Sequence, residues 1–343
     1  MGVIAWTYDS GTTWQDSVIG GGYGDNLFGI SFSDSTSSVT VGDLGRILRT
    51  TDRGNSWSDQ LVRVTSASLH NVFFTDADTG TTVGSSGTIL HTTDGGSTWT
   101  PQTSGVSARL YDVFFSDTNT GTVVGQSGTI LRTTDGGATW TRQNSGTAST
   151  LRSVHFIDTD TGTAVGGSGA IVGTVDGGTT WTVQTSGTSR SLNGVFLIDA
   201  NNGIAVGAWN TILRTTDGGT TWTLLPPPSC SPNGVFFSDA NIGMIVGNCG
   251  VLRTTDGGAT WTRQQFPYGA TFLQDMSFSD ANNGMVVGWL GVVYRTADGG
   301  ATWARQPSST EQLFLGVSLV DANTAIAVGS RGLILRTDNA AGR

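Results

Sequence analysis

The chain has 343 residues, of which 51 are Gly and only 13% are charged, and its formal net charge is −9. Every one of its 17 Lys-plus-Arg residues is Arg; so acidic a chain is not built to grip a phosphate backbone, which excludes nucleic acid as the expected partner. Abundant Gly with little charge suits tight turns rather than disorder, and no apolar run is long enough to span a bilayer.

In chain order, Val3–Tyr8 reads as a strand, followed by a turn at Asp9 and a short segment ending at Trp14. No basic stretch followed by an apolar core precedes it, so the protein is either cytosolic or has lost a signal peptide. From there one pattern organises everything. A string of the form T-x-D-G-G-x-T-W recurs with its Asp at Asp9, Asp52, Asp94, Asp135, Asp176, Asp217, Asp256 and Asp298, at intervals of 39 to 43 residues. A second string, close to L-x-x-V-F-F-S-D, ends at Asp34, Asp76, Asp117, Asp158, Asp199, Asp239, Asp280 and Asp321.

The unit from Leu110 to Thr150 shows the expected elements. Leu110–Ser116 is rich in β-formers, and Asp117–Gly121 supplies turn residues. Thr122–Gly125 is a second strand, Gln126–Gly128 a turn, Thr129–Thr134 a third strand, and the turn from Asp135 leads to a fourth at Trp140–Gln143. Four short antiparallel strands in about 40 residues is the size of a propeller blade. Radial packing of such sheets buries both faces of each and leaves only short edges.

The last unit, Phe314–Thr337, has three strands and no box Trp after Asp338. We therefore expect Thr12–Asp16 to pair with Leu333–Thr337 and close a ring, with one of two redundant third strands (Val3–Tyr8 or Leu333–Thr337) displaced or lying outside the ring. The expected fold is all-β: a single propeller domain, residues 1–343, of eight four-stranded antiparallel blades, with seven as the alternative.

The repeat, intact from Val124 to Trp140, resembles the Asp-box, or bacterial neuraminidase, repeat. More narrowly it resembles the photosystem II assembly and stability factor family of propellers, whose members form seven-bladed rings. The Asp-box is also shared by sialidases, other glycosidases and sorting receptors. The resemblance thus implies a non-catalytic scaffold that binds a protein or peptide, with a carbohydrate-binding propeller or an Asp-box glycosidase as the alternatives.

The acidic residues divide in the same way. Those of the two series read as turn-formers, because Asp accepts hydrogen bonds from nearby backbone N–H groups. Of the rest, Asp112 and Asp275 share one column of the first strand, nearly across the ring. Glycoside hydrolysis needs two carboxylates facing one bond, and a pair so placed stands too far apart; no catalytic residue is assigned. The three His are scattered and no Cys/His spacing fits zinc. The calcium-like runs at Asp76 and Asp158 lack a distal Glu, so neither a metal nor a cofactor is expected.

Three further features bear on binding. Arg49, Arg132, Arg214, Arg253, Arg295 and Arg336 share one position in the third strand, forming either a ligand surface or a structural column pairing with turn Asp or covering Trp faces. The second position of the first strand varies freely, through Phe28, His70, Tyr111, Arg152, Asn193, Asn233, Gln274 and Leu315. At turn tips Trp209 and Trp289 stand where other units carry Ser, and Tyr268 lies in a linker. Aromatic and Arg side chains are enriched at binding hot spots. The expected docking face is therefore the variable one, carrying Trp209, Trp289, Tyr111, Arg152, Asn193, Asn233, Gln274 and Tyr268. Finally, Cys230 and Cys249 fall on that face of one unit and are expected to form a disulfide. Such a bridge favours an exported, periplasmic or extracellular protein over a cytosolic one.

Overall fold

The computed structural model describes residues 2–7, 15–19, 26–53, 56–59, 65–226, 231–266, 272–306, 308, 311–319, 325–330 and 334–337. The unit at its centre forms the strands Leu110–Phe115, Gly121–Gly125, Ile130–Thr133 and Thr141–Gln143, paired in chain order into one antiparallel sheet. The middle strand Gly121–Gly125 is buried throughout. Its alternation sends Val123 to one neighbouring blade and Val124 to the other. Val123 packs with Val83 and Ile89 of the preceding unit, Val124 with Leu151 and Val154 of the following one. A strand covered on both faces needs apolar side chains at successive positions rather than every second one, and the sequence supplies them. The core of the molecule is therefore a series of seams between blades.

The edge of this strand needs Gly for a steric reason. A Cβ on Gly121 would stand 2.6 Å from the Phe115 ring, which folds over it. The ring in turn meets Trp140 edge-on at 6.1 Å, joining the first strand to the box Trp.

Among the described residues the regular four-stranded antiparallel blade occurs seven times, not eight: blade one spans Leu27–Asp59, two Leu69–Gln102, three Leu110–Gln143, four Leu151–Gln184, five Leu192–Leu224, six Pro232–Arg263 and seven Leu273–Gln306. The terminal sheet differs. It has five strands, in the order Gln15–Ile19, Gly2–Thr7, Ile334–Thr337, Ala325–Gly329, Phe314–Leu319.

The expected pairing of Thr12–Asp16 with Leu333–Thr337 is replaced by another. Gly2–Thr7 lies parallel to Ile334–Thr337, with Trp6 opposite Arg336 and Thr7 opposite Thr337, while Gln15–Ile19 pairs antiparallel with Gly2–Thr7. Neither redundant third strand is displaced. The hairpin of Gly2–Thr7 with Gln15–Ile19 closes a short loop at little entropic cost. Its free edge then meets the edge of Ile334–Thr337, and because both are third strands they run in the same direction. Phe314, Val317 and Leu319 pack on Met285, Val287 and Val293 of blade seven, and Ile326 and Val328 on Leu27 and Leu48 of blade one.

A β-bulge recurs near the start of each first strand, as between Leu110 and Asp112 or between Leu192 and Gly194. The unpaired residue in each bulge is the member of the freely varying column. A bulge releases one residue from the ladder and re-aims its side chain, which explains why that column tolerates Phe, Arg, Asn and Leu alike.

Candidate binding surface

Turns at the two ends of each sheet define two unlike faces. On one face lie the box turns and the turns after the first strands. Asp135 shows the box chemistry: Oδ1 accepts from the Thr139 N–H at 2.9 Å and from the Thr133 hydroxyl at 2.7 Å, and Oδ2 from the Thr139 hydroxyl at 2.6 Å. Thr133 Oγ1 itself accepts from the Gly137 N–H at 2.8 Å. These bonds hold Asp135 down to about 2, chiefly through Thr139. Asp52, Asp94, Asp176, Asp217, Asp256 and Asp298 accept from the N–H four residues on in the same way. In the other series Asp117 accepts from the N–H groups of Asn119 and Thr120. This face is densely anionic and its side chains are bound to one another.

The opposite face carries the linkers and the turns between second and third strands. Those turns are tight, with a tip residue in the left-handed region: Leu44, Ser86, Ser127, Ser168, Trp209 and Leu290 all lie at φ 55–57°. Trp209 is 73% exposed and Leu290 69%. Trp289 is not itself a tip residue. It precedes the tip, aligning with Gln126, and the residue in the Ser position is Leu290. Aligning the turns on their closing Gly would have shown this from the sequence. Trp289 instead stacks against Phe272, their rings 5.5 Å apart, and each is 49% exposed. Neither Phe272 nor Leu290 was singled out by sequence reasoning. Arg190, in the linker before blade five, donates from Nη1 to the Trp209 carbonyl.

The freely varying column of the first strands is less uniform than expected. Phe28, His70 and Tyr111 form a run of rings with 5.8 Å between neighbours. Arg152 is exposed, while Gln274 is half-buried. Asn193 and Asn233 are already engaged: their carboxamides donate to the carbonyls of Pro232 and Leu273, tying each blade to the next. One position deeper, Asp112 accepts from the Val154 N–H of blade four at 2.9 Å and from Asn71 of blade two. Asp275 accepts from the Val317 N–H at 2.9 Å. Burial pushes both carboxyls up to about 6 against these hydrogen bonds. They stand on first strands of blades three and seven, each bound to its own neighbour. Deeper again, Phe73, Phe114, His155, Phe196 and Phe236 form an aromatic belt with 4.4 to 5.8 Å between successive rings. Burial pushes His155 down to about 4. An aromatic residue at the next-to-last position of five first strands (Phe73, Phe114, His155, Phe196 and Phe236) carried the signal for this belt.

The Arg column lies at the seams. Arg49, Arg214 and Arg253 each donate Nε to a backbone carbonyl in the next blade's box, at Gly95, Gly257 and Gly299. Arg132 donates to Thr122 Oγ1 and the Thr159 carbonyl, 4.9 Å over the Phe156 ring, and Arg295 to Asn283. The partners are thus mostly carbonyls rather than the turn carboxylates, and the ring beneath Arg132 is Phe, not Trp. Arg336 is placed by its backbone alone, opposite Trp6. Asp9, Tyr268 and Cys230 lie outside the described residues; Cys249 is buried in the seam of blades five and six. Among the described residues no group of three or more His, Cys, Asp or Glu could hold a metal, and no helix is long and apolar enough to cross a membrane.

Residues 143–226, from the last strand of blade three through blade five, match the family model of the photosynthesis system II assembly factor YCF48. Across these residues the chain is similar to the BNR-type repeats of that assembly factor. Among solved structures, YCF48 bound to D1 peptide is 22% identical with a TM-score of 0.64, covering 79% of this chain and 91% of its own. YCF48 from Cyanidioschyzon merolae is 24% identical with a TM-score of 0.62, covering 79% and 95%. The GH74 enzyme of Niastella koreensis is 17% identical with a TM-score of 0.57, covering 88% of this chain but 62% of its own. At such identities what is shared is the fold. No curated protein matches the chain. Against this BNR-type background, the tips of blades five and seven, Trp209 and Leu290, depart from the Ser that blades two, three and four keep.

Proposed function

We propose that residues 1–343 act as one domain, a non-catalytic propeller scaffold that binds a protein or peptide on its variable face. In this reading the five-stranded sheet is the eighth sector of a closed ring, since its two sides pack on blades seven and one. The observation that carries the proposal is the exposure of large apolar side chains on this face, Trp209 on blade five and Leu290 with the Phe272–Trp289 pair on blade seven. Three of these, Trp209, Phe272 and Leu290, sit at φ 55–60°, a left-handed conformation that costs a bulky residue about 1 kcal/mol or more. Strain of this kind is kept where function rather than stability selects the side chain. The D1 peptide bound by the structurally similar YCF48 supports a peptide as the ligand class. Asp112 and Asp275 are each engaged in a tie between blades, which supports a non-catalytic role. An exported protein is the compartment we favour.

The test is an immobilised peptide array probed with the purified protein and with Trp209→Ala and Trp289→Ala variants. Binding to a subset of peptides, lost in both variants while circular dichroism and melting stay unchanged, is the expected result. Binding confined to a parallel glycan array moves the ligand to carbohydrate. Turnover of a fluorogenic glycoside panel overturns the non-catalytic reading.

A further inference from the structure

The Arg column has a gap, and the gap has a shape. At the seam of blades three and four, Arg132 crosses between the sheets: Nη1 reaches the Thr122 hydroxyl, Nη2 the Thr159 carbonyl, and the guanidinium lies over Phe156. At three other seams the Arg donates to the carbonyl of the first Gly in the next blade's box. At the seam of blades four and five the same position is Gly173.

The acceptors are nevertheless still there. Thr163 occupies the position of Thr122, Ala200 that of Thr159, and Gly218 that of Gly95, Gly257 and Gly299. All three line a cleft of about 410 Å³ whose floor is Gly173 and whose wall includes Leu197, in the position of Phe156. Gln184 enters this space: it holds the Trp222 indole N–H at 2.8 Å through Oε1 and donates Nε2 to the Gly218 carbonyl at 3.4 Å, with Nε2 lying against the place that a Cβ on Gly173 would occupy. Gln143 holds Trp181 in the same way at the seam where Arg132 is present, so the indole bond is common to both seams; what Gln184 adds is one long amide contact to Gly218, which an incoming guanidinium has to displace.

The rim completes the chemistry. Asp217 is held below the usual carboxylate range by the Thr221 N–H. Asp199 is also lowered, its burial outweighed by hydrogen bonds from Asn202 and Asn201. Both are ionised at neutral pH. Val175, 79% exposed on the rim, stands where blade three has Thr134 and offers apolar surface to an aliphatic stem. A guanidinium is planar and carries five donors in a fixed fork, so it can meet a hydroxyl and two carbonyls together, whereas an ammonium acts as a point charge.

The geometry points to this slot as a binding site for a guanidinium supplied from outside, an arginine side chain of a partner peptide or protein. The site lies on the box face, opposite the exposed tips Trp209 and Leu290, and does not depend on their role. The incoming arginine completes the seam that the chain's own sequence leaves open.

The experiment titrates acetyl-Gly-Arg-Gly-amide, acetyl-Gly-Lys-Gly-amide and methylguanidinium into the 15N-labelled protein and follows its amide signals. The Arg peptide should shift the Gly173, Gly218 and Gly219 amides saturably, and roughly tenfold more tightly than the Lys peptide, about 1.4 kcal/mol. Gly173→Arg fills the slot from within, since only the flexible end of Gln184 must move aside; it should abolish the titration and raise the melting temperature. Should that variant fold poorly, Thr163→Val removes one acceptor alone and should weaken binding several-fold. Trp209→Ala should leave the titration unchanged, which separates failure here from failure of the variable-face reading. Equal affinity for the Arg and Lys peptides, or Arg binding that persists in Gly173→Arg, overturns the proposal. Methylguanidinium binding as tightly as the Arg peptide overturns the peptide source and assigns the slot to free guanidines.

Discussion

The strand Ile130–Thr133 ends in two turns built on opposite principles. At its C-terminal end the box turn is held by side chains: the Asp135 carboxylate and the Thr133 and Thr139 hydroxyls bond one another and the backbone. At its N-terminal end the Gln126–Gly128 turn is held by its backbone, the Gly125 N–H on the Thr129 carbonyl and the Gln126 N–H on the Arg109 carbonyl. The tip side chain takes no part. A turn fixed by side chains admits only the residues that make the bonds, so it repeats from blade to blade. One fixed by backbone asks only that its tip accept a left-handed conformation, so Ser, Leu and Trp all appear. Constancy and variability on the two faces therefore have one cause, the location of the hydrogen bonds.

The largest effect expected from this contrast comes with pH, because acid acts on every side-chain-held turn at once. Six box carboxylates (Asp94, Asp135, Asp176, Asp217, Asp256 and Asp298) and six of the other turn series (Asp34, Asp76, Asp117, Asp158, Asp199 and Asp280) sit below the usual value. A lowered carboxyl contributes stability that is full above its unfolded value, near 3.9, and is lost as pH falls through its folded value. For Asp135 and Asp256 that folded value is about 2. Asp112 and Asp275 have the opposite sign. Raised to about 6, they bind protons more readily when folded, so stability rises as pH falls from above 6 towards 4. Denaturant midpoints should thus peak between about pH 4 and 6 and fall steeply below 4. A midpoint still climbing between pH 4 and 2 breaks the account of the turns. A flat response from pH 8 to 5, or one unchanged in Asp112→Asn, breaks the account of the two buried carboxyls.

The same contrast governs how much was legible in the sequence. The blade could be read because its box is written in side chains: Thr133, Asp135, Gly137 and Thr139 are all needed, so all recur. The meaning of the varying column could not, because a bulge is a backbone event and leaves no residue type behind. Nor could the terminal sheet, where Gly2–Thr7 and Ile334–Thr337 carry equally good third-strand patterns and only three-dimensional crowding decides that both are kept. Asn193 and Asn233 looked like ligand contacts because their partners, the carbonyls of Pro232 and Leu273, are 39 and 40 residues away. The slot at Gly173 was visible as an interruption in a column, but its acceptors, Thr163, Ala200 and Gly218, come from two blades.

A smaller effect separates the two turns within one blade. Asp135→Ala removes an acceptor for two hydroxyls and one backbone N–H at an exposed turn, and should cost about 1–2 kcal/mol, as losing a cap residue does. Ser127→Ala, at the backbone-held turn, should fall within about 0.5 kcal/mol of the parent. Urea denaturation of the two variants beside the parent gives both values. Equal losses would mean that the tip side chain also holds its turn, and the contrast between faces would fail.

The smallest effect has the opposite sign, which makes it the sharper test. Leu290 lies at φ 55° with most of its side chain in solvent. The left-handed conformation costs an L-residue roughly 1–2 kcal/mol, whereas Gly adopts it without that penalty and loses about 0.5–1 kcal/mol more backbone freedom on folding. Little buried surface is lost with so exposed a side chain. Leu290→Gly should therefore stabilise the protein by about 0.5 kcal/mol, while binding to the peptides selected on the array weakens. A gain in stability with a loss of binding is what a strained residue kept for its contacts must show. If Leu290→Gly instead unfolds earlier in urea, Leu290 is packing against its neighbours in solution. The tips of blades five and seven would then have to be read as part of the core rather than as a surface held out for a partner.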